Sequence, residues 1–277
     1  MKKFGLIGHP IAHSLSPALF KAAYGGKYAY DLIEGEDFEK SYEKFMEEYD
    51  AINVTAPFKE LAYAKANSQS GECKAVGAAN ILIKDEESVF ADNSDIAGVS
   101  GALRAAGTAD SKGKKALIVG CGGAAMAATY ATWIELGCGT VVINRNFEKA
   151  ETFVERLKET CNGQNSITAA GLESFEKHFS ESDIVIYTLP LTIPALHTLS
   201  RSSIRGGKFW HRRRSKIILE ANYKDPAFTS EIKQKLHKIN PKIRFISGKE
   251  WLLHQAVGAY RSFTGEEPNI EEMRKVL

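Results

Sequence analysis

Between Lys114 and Ala125 the chain reads KKALIVGCGGAA: an apolar run, then Gly120-x-Gly122-x-x-Ala125, then alanine-rich sequence continuing to Leu136. The run has the pattern of a buried strand. Glycines at this spacing, between a strand and a helix, are the fingerprint of a doubly wound α/β sheet that binds a dinucleotide. No other stretch narrows the fold as much. The glycines permit a tight turn and let a pyrophosphate approach the helix N-terminus, whose free N–H groups and positive dipole end favour an anion. Gly120, Gly122, Gly123 and Ala124 are therefore the candidate cofactor-binding positions. A glycine-rich turn without a ligand is the weaker reading, because the motif stands in its strand–turn–helix context.

The next strand, Thr140 to Ile143, ends in Asn144-Arg145-Asn146. A site for NAD carries Asp or Glu about 20 residues after the fingerprint, to bind the ribose 2′-hydroxyl. Here an amide and an arginine stand there instead. The planar fork of Arg145 suits a 2′-phosphate, so Asn144 and Arg145 point to NADP. Further strands are expected over Asp183 to Leu189, Lys216 to Ala221 and Lys242 to Ser247.

The first hundred residues repeat the alternation. Strands at Lys3 to Gly8, Tyr28 to Glu34 and Ala51 to Val54 are separated by helices beginning at Ser16-Pro17 and running from Phe38 to Tyr49. That order predicts a parallel sheet with helices on both faces. At 277 residues, two domains are the default. The strand from Ala51 runs into Asn53-Val54-Thr55-Ala56-Pro57-Phe58-Lys59. Asn53 and Thr55, two apart, share one face of an extended segment. Pro57 reads as the first residue of the following helix, with Lys59 in its first turn, where the helix dipole disfavours a cation. Taken alone this is a solvated lysine after a polar turn. Ser16 before Pro17 reads as an N-cap; Ser14 has no such structural excuse. Two hydroxyls beside a helix N-terminus can hold a carboxylate without a full counter-charge. Asn80, after Gly77-Ala78-Ala79, offers a donor and an acceptor. Asp95 falls in the first turn of a helix reaching Ala106, a position the dipole alone explains. Gln255 sits within a helical stripe of Trp251, Leu252, Ala259 and Phe263, where a polar side chain needs a partner.

Composition removes several function classes. Net charge is +2, which makes no case for nucleic acid or an anionic membrane. The basic run His211-Arg212-Arg213-Arg214 reads as a solvated loop. Cys73, Cys121, Cys138 and Cys161 form no C-x-x-C pair, which argues against a zinc site or a disulfide framework and fits a reducing cytoplasm. No metal is expected. No apolar run approaches the length of a membrane span.

Taken together, these stretches resemble the shikimate dehydrogenases over nearly the whole chain. The likeness is carried by Gly8-x-Pro10-Ile11-x-His13-Ser14-Leu15-Ser16-Pro17, Asn53-Val54-Thr55-x-Pro57-x-Lys59, Gly77-Ala78-x-Asn80, Asp92-Asn93-Ser94-Asp95-x-x-Gly98, the Gly120 fingerprint with Asn144-Arg145, and Gln255. The resemblance implies an N-terminal α/β substrate-binding domain (1–103 plus 247–277) and a Rossmann NADP-binding domain (104–246), with the C-terminal helix returning to the first domain. It implies reversible NADP-dependent reduction of 3-dehydroshikimate to shikimate, a step in aromatic amino-acid biosynthesis, by a cytoplasmic monomer or homodimer. Lys59 and Asp95 would be the catalytic pair. Ser14 and Ser16 would bind the substrate carboxylate, and Thr55, Asn80, Asp95 and Gln255 the ring hydroxyls. Tyr223 matches the family's substrate tyrosine and Gly248 its nicotinamide-side glycine. A quinate/shikimate enzyme with relaxed cofactor choice, and a non-catalytic nucleotide sensor, are the competing readings. The chain departs from the family pattern at Ser94, Asn146, Tyr187-Thr188-Leu189-Pro190, Glu220 and the segment Gly206 to Ser215.

Overall fold

The computed structural model describes residues 2–108, 111–200 and 215–277. The basic run His211 to Arg214, and residues 206–214 of the unusual segment, lie outside the described residues. The chain divides into two compact units, one formed by Met1–Gly98 with Leu252–Leu277 and the other by Val99–Trp251.

In the first unit, β1 (Lys3–Gly8), β2 (Ala29–Glu34) and β3 (Ala51–Val54) are parallel, with β1 in the middle. The helices between them are α1 (Ser16–Tyr24) and α2 (Phe38–Glu48). The expectation of a purely parallel sheet fails beyond β3. After α3 (Lys59–Lys65), β4 (Ser68–Gln69) and α4 (Gly71–Val76), the strands β5 (Ile81–Asp85) and β6 (Ser88–Asp92) form an antiparallel hairpin, and β5 runs antiparallel to β3. Their two-residue connection, Glu86-Glu87, with Glu86 at φ 53°, is too short for the crossover that a parallel pair requires. The resulting strand order is β2-β1-β3-β5-β6-β4.

Two helix starts also differ from expectation. Leu15, not Ser16, occupies the N-cap of α1, with Ser16 and Pro17 inside the helix, and no side chain caps it there. The helix after Pro57 begins at Lys59, with residues 56 and 57 in a turn closed by Phe58 N–H donating to the Thr55 carbonyl at 3.0 Å.

In the second unit, after α5 (Asp95–Ala105), every strand is parallel: β7 (Lys115–Val119), β8 (Gly139–Asn144), β9 (Ile167–Gly171), β10 (Ile184–Tyr187), β11 (Lys216–Glu220) and β12 (Ile243–Ser247). Their order, β12-β11-β10-β7-β8-β9, is the 3-2-1-4-5-6 arrangement of the dinucleotide fold, whose strand order reverses between β7 and β10. The helix α6 (Gly123–Tyr130) follows β7; instead of continuing as a plain α-helix to Leu136 it widens into a π-helical turn over Ala131–Glu135. The helix α7 (Phe147–Thr160) follows β8, α8 (Phe175–Glu181) follows β9, and α9 (Ala195–Thr198) follows β10. The helix α10 (Ser230–Ile239) precedes β12.

The last helices, α11 (Gly248–Thr264) and α12 (Ile270–Val276), carry the chain back to the first unit. Leu253, Ala256, Val257, Tyr260, Phe263 and Met273 close one of its cores against Phe4, Leu19, Phe20 and Ala23. Phe4 stacks on Phe263 with ring centroids 5.5 Å apart. Among the described residues no helix is long and apolar enough to cross a membrane.

Candidate active site

In the first unit, Lys59 and Asp95 meet. Lys59 Nζ lies 2.5 Å from Asp95 Oδ2, with side-chain exposures of 28% and 9%. These residues are 36 positions apart, and each is placed by backbone ties. The Lys59 carbonyl accepts from Ala79 N–H at 2.9 Å, fixing the start of α3 beside the Gly77–Asn80 turn. The start of α5 is held by Asn93, whose Oδ1 accepts the Asp95 N–H at 2.9 Å and whose Nδ2 donates to the Ala78 carbonyl at 2.8 Å. Asn93, rather than Asp92 or Ser94, is thus the side chain that caps this helix.

A chain of polar contacts leads away from that pair. Asn80 is buried at 2% exposure; its Oδ1 accepts Ser94 N–H at 2.8 Å and its Nδ2 donates to Ser94 Oγ at 3.1 Å. Serine at position 94 therefore keeps the hydroxyl this lock uses. The Asn80 carbonyl accepts from Asn53 Nδ2 at 3.2 Å, and Asn53 Oδ1 accepts from the Tyr30 hydroxyl at 2.8 Å. Asn53 is consumed by these contacts and braces β3. Thr55, two residues on and half-buried, makes no side-chain hydrogen bond among the described residues. Gly8 makes room for it: a Cβ there would overlap Thr55 Cγ2 and stand 2.7 Å from Ile11 Cγ2.

Ser14 and Ser16 sit together at the start of α1. Ser14 Oγ donates to Ser16 Oγ at 3.1 Å and accepts the Ser16 N–H at 3.2 Å. The sequence suggested the reverse, with Ser16 as the capping serine; here Ser14 takes the backbone N–H. Gln255 is half-buried on α11. Gly258, three residues on and so on the same face, packs against Ser94, its Cβ position 3.7 Å from Ser94 Cβ. Gln255 thereby lies on the helix face turned toward the Asn80–Ser94–Asp95 corner, and its amide has no hydrogen bond among the described residues.

The second unit is built for an anion at its glycine turn. Gly120 has φ +118°, and a Cβ there would collide with Thr188 Oγ1. Thr188 in turn donates to the Val119 carbonyl at 2.8 Å. Around Gly122 and Gly123 the space a Cβ would enter is open. Among the described residues no side chain caps α6, so the first N–H groups of that helix, Gly123 and Ala124 among them, face this opening without a partner there. Orphaned donors in front of open space fit the pyrophosphate of a dinucleotide. Burial pushes the Cys121 thiol up to about 11, with Lys149 pulling weakly the other way. The thiol stays neutral near pH 7 and brings no negative charge to the turn.

At the end of β8, Asn144 Nδ2 donates to the Asn146 carbonyl at 3.2 Å, and Asn146 Oδ1 caps α7 by accepting Lys149 N–H at 3.0 Å. Arg145 is exposed between them, with no ion pair among the described residues. The family departure at Tyr187 is a core residue: its ring is fully buried, packs edge-on against Phe228 at 5.5 Å, and its hydroxyl donates to the Leu191 carbonyl at 2.6 Å. Glu220 is buried too. Its carboxylate accepts the N–H groups of Ala227 and Phe228, and burial holds it above the usual carboxylate range. It thereby fixes the loop that carries Tyr223, which lines a small hollow with Ile218, Asn222, Pro226 and Phe245.

Gly248 has a backbone reason to be glycine. A Cβ there would overlap the Ala221 carbonyl and stand 2.8 Å from the Glu220 carbonyl oxygen. Neither group can swing aside. Gly248→Ala should cost about 1–3 kcal/mol through forced displacement of the α11 start. A thermal melt checks this, and an unchanged midpoint would contradict it.

Tyr30 and Asn93 join these contacts without having been assigned a role from the sequence, Tyr30 through Asn53 and Asn93 through the Asp95 N–H. Among the described residues no group of three or more His, Cys, Asp and Glu is placed to hold a metal ion.

Comparisons with known proteins agree in both units. Residues 6–82 match the family model described as the shikimate dehydrogenase substrate binding domain, and residues 102–201 the model described as shikimate / quinate 5-dehydrogenase. The shikimate dehydrogenase (NADP(+)) of Methanopyrus kandleri is 27% identical, covering 99% of this chain and 93% of that protein. That of Xanthomonas euvesicatoria is 36% identical over 166 residues, which span 57% of this chain and 58% of the length of that relative. The crystal structure of shikimate 5-dehydrogenase from Thermus thermophilus, in complex with NADP(H) and shikimate, superposes with a TM-score of 0.79 at 26% identity, covering all of both chains. With matched models in both halves and full-length agreement of fold, the chain belongs to the shikimate/quinate dehydrogenase family.

Proposed function

We propose that the protein is an NADP-dependent shikimate dehydrogenase that reversibly reduces 3-dehydroshikimate to shikimate, working in the cytoplasm as a monomer or homodimer. The observation that carries this reading is the Lys59–Asp95 contact of 2.5 Å in the first unit, the unit that also holds the Ser14–Ser16 hydroxyl pair. Residues 1–103 with 247–277 are assigned to substrate and residues 104–246 to the cofactor.

Ser14 and Ser16 hold the substrate carboxylate through hydroxyl donors. Thr55, Asn80, Asp95 and Gln255 take the ring hydroxyls; the unused hydrogen-bonding capacity of Thr55 and Gln255 supports their part. Tyr223 adds a contact to the substrate. Gly120, Gly122, Gly123 and Ala124 accommodate the pyrophosphate, Asn144 and Arg145 the 2′-phosphate, and Gly248 the nicotinamide side. The bound nicotinamide supplies or accepts the hydride. In reduction the Lys59 ammonium donates a proton to the ketone oxygen as that oxygen gains charge; in oxidation the lysine amine takes the hydroxyl proton. Asp95 orients Lys59 and carries the compensating negative charge. A positioned acid–base of this kind is worth roughly 10²- to 10⁴-fold.

The test is spectrophotometric. Incubation with shikimate and NADP should produce absorbance of the reduced cofactor, with a higher kcat/KM for shikimate than for quinate and for NADP than for NAD. A quinate preference would select the broader quinate/shikimate reading. Absence of turnover with either acid, while the nucleotide still binds, would select a sensor.

A further inference from the structure

Two phenols stand behind the serine pair, Tyr260, which is buried, and Tyr30, which is half-buried. Tyr260, on α11, is 1% exposed, and its hydroxyl donates to the Ser16 carbonyl at 3.1 Å. Its ring packs edge-on against Phe20 at 4.8 Å and against Tyr30 at 6.0 Å. Burial pushes both phenols far above the ordinary tyrosine range, so they remain neutral donors, and the Ser16 side chain partly offsets that rise in each. Tyr30 is anchored in turn on Asn53 Oδ1.

The packing of Tyr260 asks only for an aromatic ring; Phe20 and Phe263 around it make no use of an oxygen. The hydroxyl is the part that needs a reason. A neutral pair of hydroxyls binds a carboxylate well only when their donors are already aimed, since each side chain held in place spares the cost of ordering it on binding. Ser16 lies at the first turn of α1, where its backbone and rotamer decide where both serine hydroxyls point.

We propose that Tyr260 is a positioning residue of the carboxylate site: its hydroxyl fixes Ser16, and through the Ser14–Ser16 hydrogen bond it sets both serine donors toward the substrate carboxylate. This rests on the assignment of Ser14 and Ser16 to that carboxylate. Tyr260 touches neither substrate nor cofactor.

The experiment compares Tyr260→Phe, Ser14→Ala, Ser16→Ala and wild type, each with shikimate and with its uncharged methyl ester. Phenylalanine keeps the ring, so the fold is retained, and a thermal melt records it. Tyr260→Phe should raise KM for shikimate roughly 3- to 10-fold, the span of one lost hydrogen bond, with kcat, KM for NADP and KM for the ester within twofold of wild type. An unmoved KM for shikimate, or an equal rise for acid and ester, would overturn the proposal, because a merely structural role does not distinguish the two. If the serine variants weaken shikimate and Tyr260→Phe does not, the functional assignment stands and this inference alone fails. If wild type does not turn over shikimate, both fail.

Discussion

Lys59→Ala should lower kcat for shikimate oxidation by roughly 10²- to 10⁴-fold while moving KM by a few-fold at most. The geometry explains why the loss should fall on kcat. Lys59 is the cation in contact with Asp95, and only about a quarter of its side chain is exposed. In the site proposed above the ring hydroxyls keep other partners in Thr55, Asn80 and Gln255, and the carboxylate keeps the two serines, so ground-state binding is expected to survive. What is lost is a group whose interaction strengthens as the oxygen changes its proton, which is the signature of an effect on the transition state alone. The variant also leaves the Asp95 carboxylate buried without its cation, which is destabilising. A melt must accompany the kinetics, and Lys59→Ala/Asp95→Asn, which removes both charges, separates the two effects. The double variant should recover stability and not rate. A single variant that keeps kcat within a few-fold of wild type would remove Lys59 from the chemistry.

Local grammar alone leaves Lys59 a solvated lysine and Asp95 a helix-start carboxylate; only the resemblance joins them as a pair, although both sit at element boundaries that the sequence marks clearly. The β7–Gly120–α6 corner, the strand–turn leading to Lys59 and the polar run leading to Asp95 each read correctly as places where the chain turns and backbone groups are free. The parallel second sheet follows from the same grammar, since every strand there is followed by a helical segment. Where the reading failed, a contact from elsewhere in the chain or a short-range alternative decided the outcome. The hairpin of β5 and β6 was missed because Ile81-Leu82-Ile83 is too short a run to separate strand from helix. Ser16 lost the capping role because helix starts are uncertain by a residue or two: the helix begins at Ser16 itself, Leu15 takes the N-cap, and the Ser16 N–H goes to Ser14 Oγ. The π-helical turn at Ala131–Glu135 has no signature in an alanine-rich stretch. Tyr30 and Tyr260 were illegible for a deeper reason: their rings pack as core residues do while their hydroxyls bond Asn53 and Ser16, and no spacing rule distinguishes the two uses.

Arg145 carries the second large prediction. Arg145→Ala should raise KM for NADP roughly 10- to 100-fold, the loss expected when a charge-assisted, bidentate phosphate contact is removed, and should leave KM for NAD within about threefold. The asymmetry is the informative part. Arg145 stands just beyond β8, the strand beside β7 in the 3-2-1-4-5-6 sheet, where the fold presents the adenosine ribose. It is exposed, without an ion pair among the described residues, between Asn144, whose amide donates to the Asn146 carbonyl, and Asn146, whose Oδ1 caps α7. An arginine held for structure would have a carboxylate or carbonyl to hold, and its removal would weaken both cofactors alike or lower the melting temperature. An arginine kept for a 2′-phosphate loses its purpose only toward the cofactor that has one. Equal losses with NADP and NAD would therefore detach Arg145 from phosphate recognition, and a lower KM for NAD than for NADP in the wild-type enzyme would do so before any mutation is made.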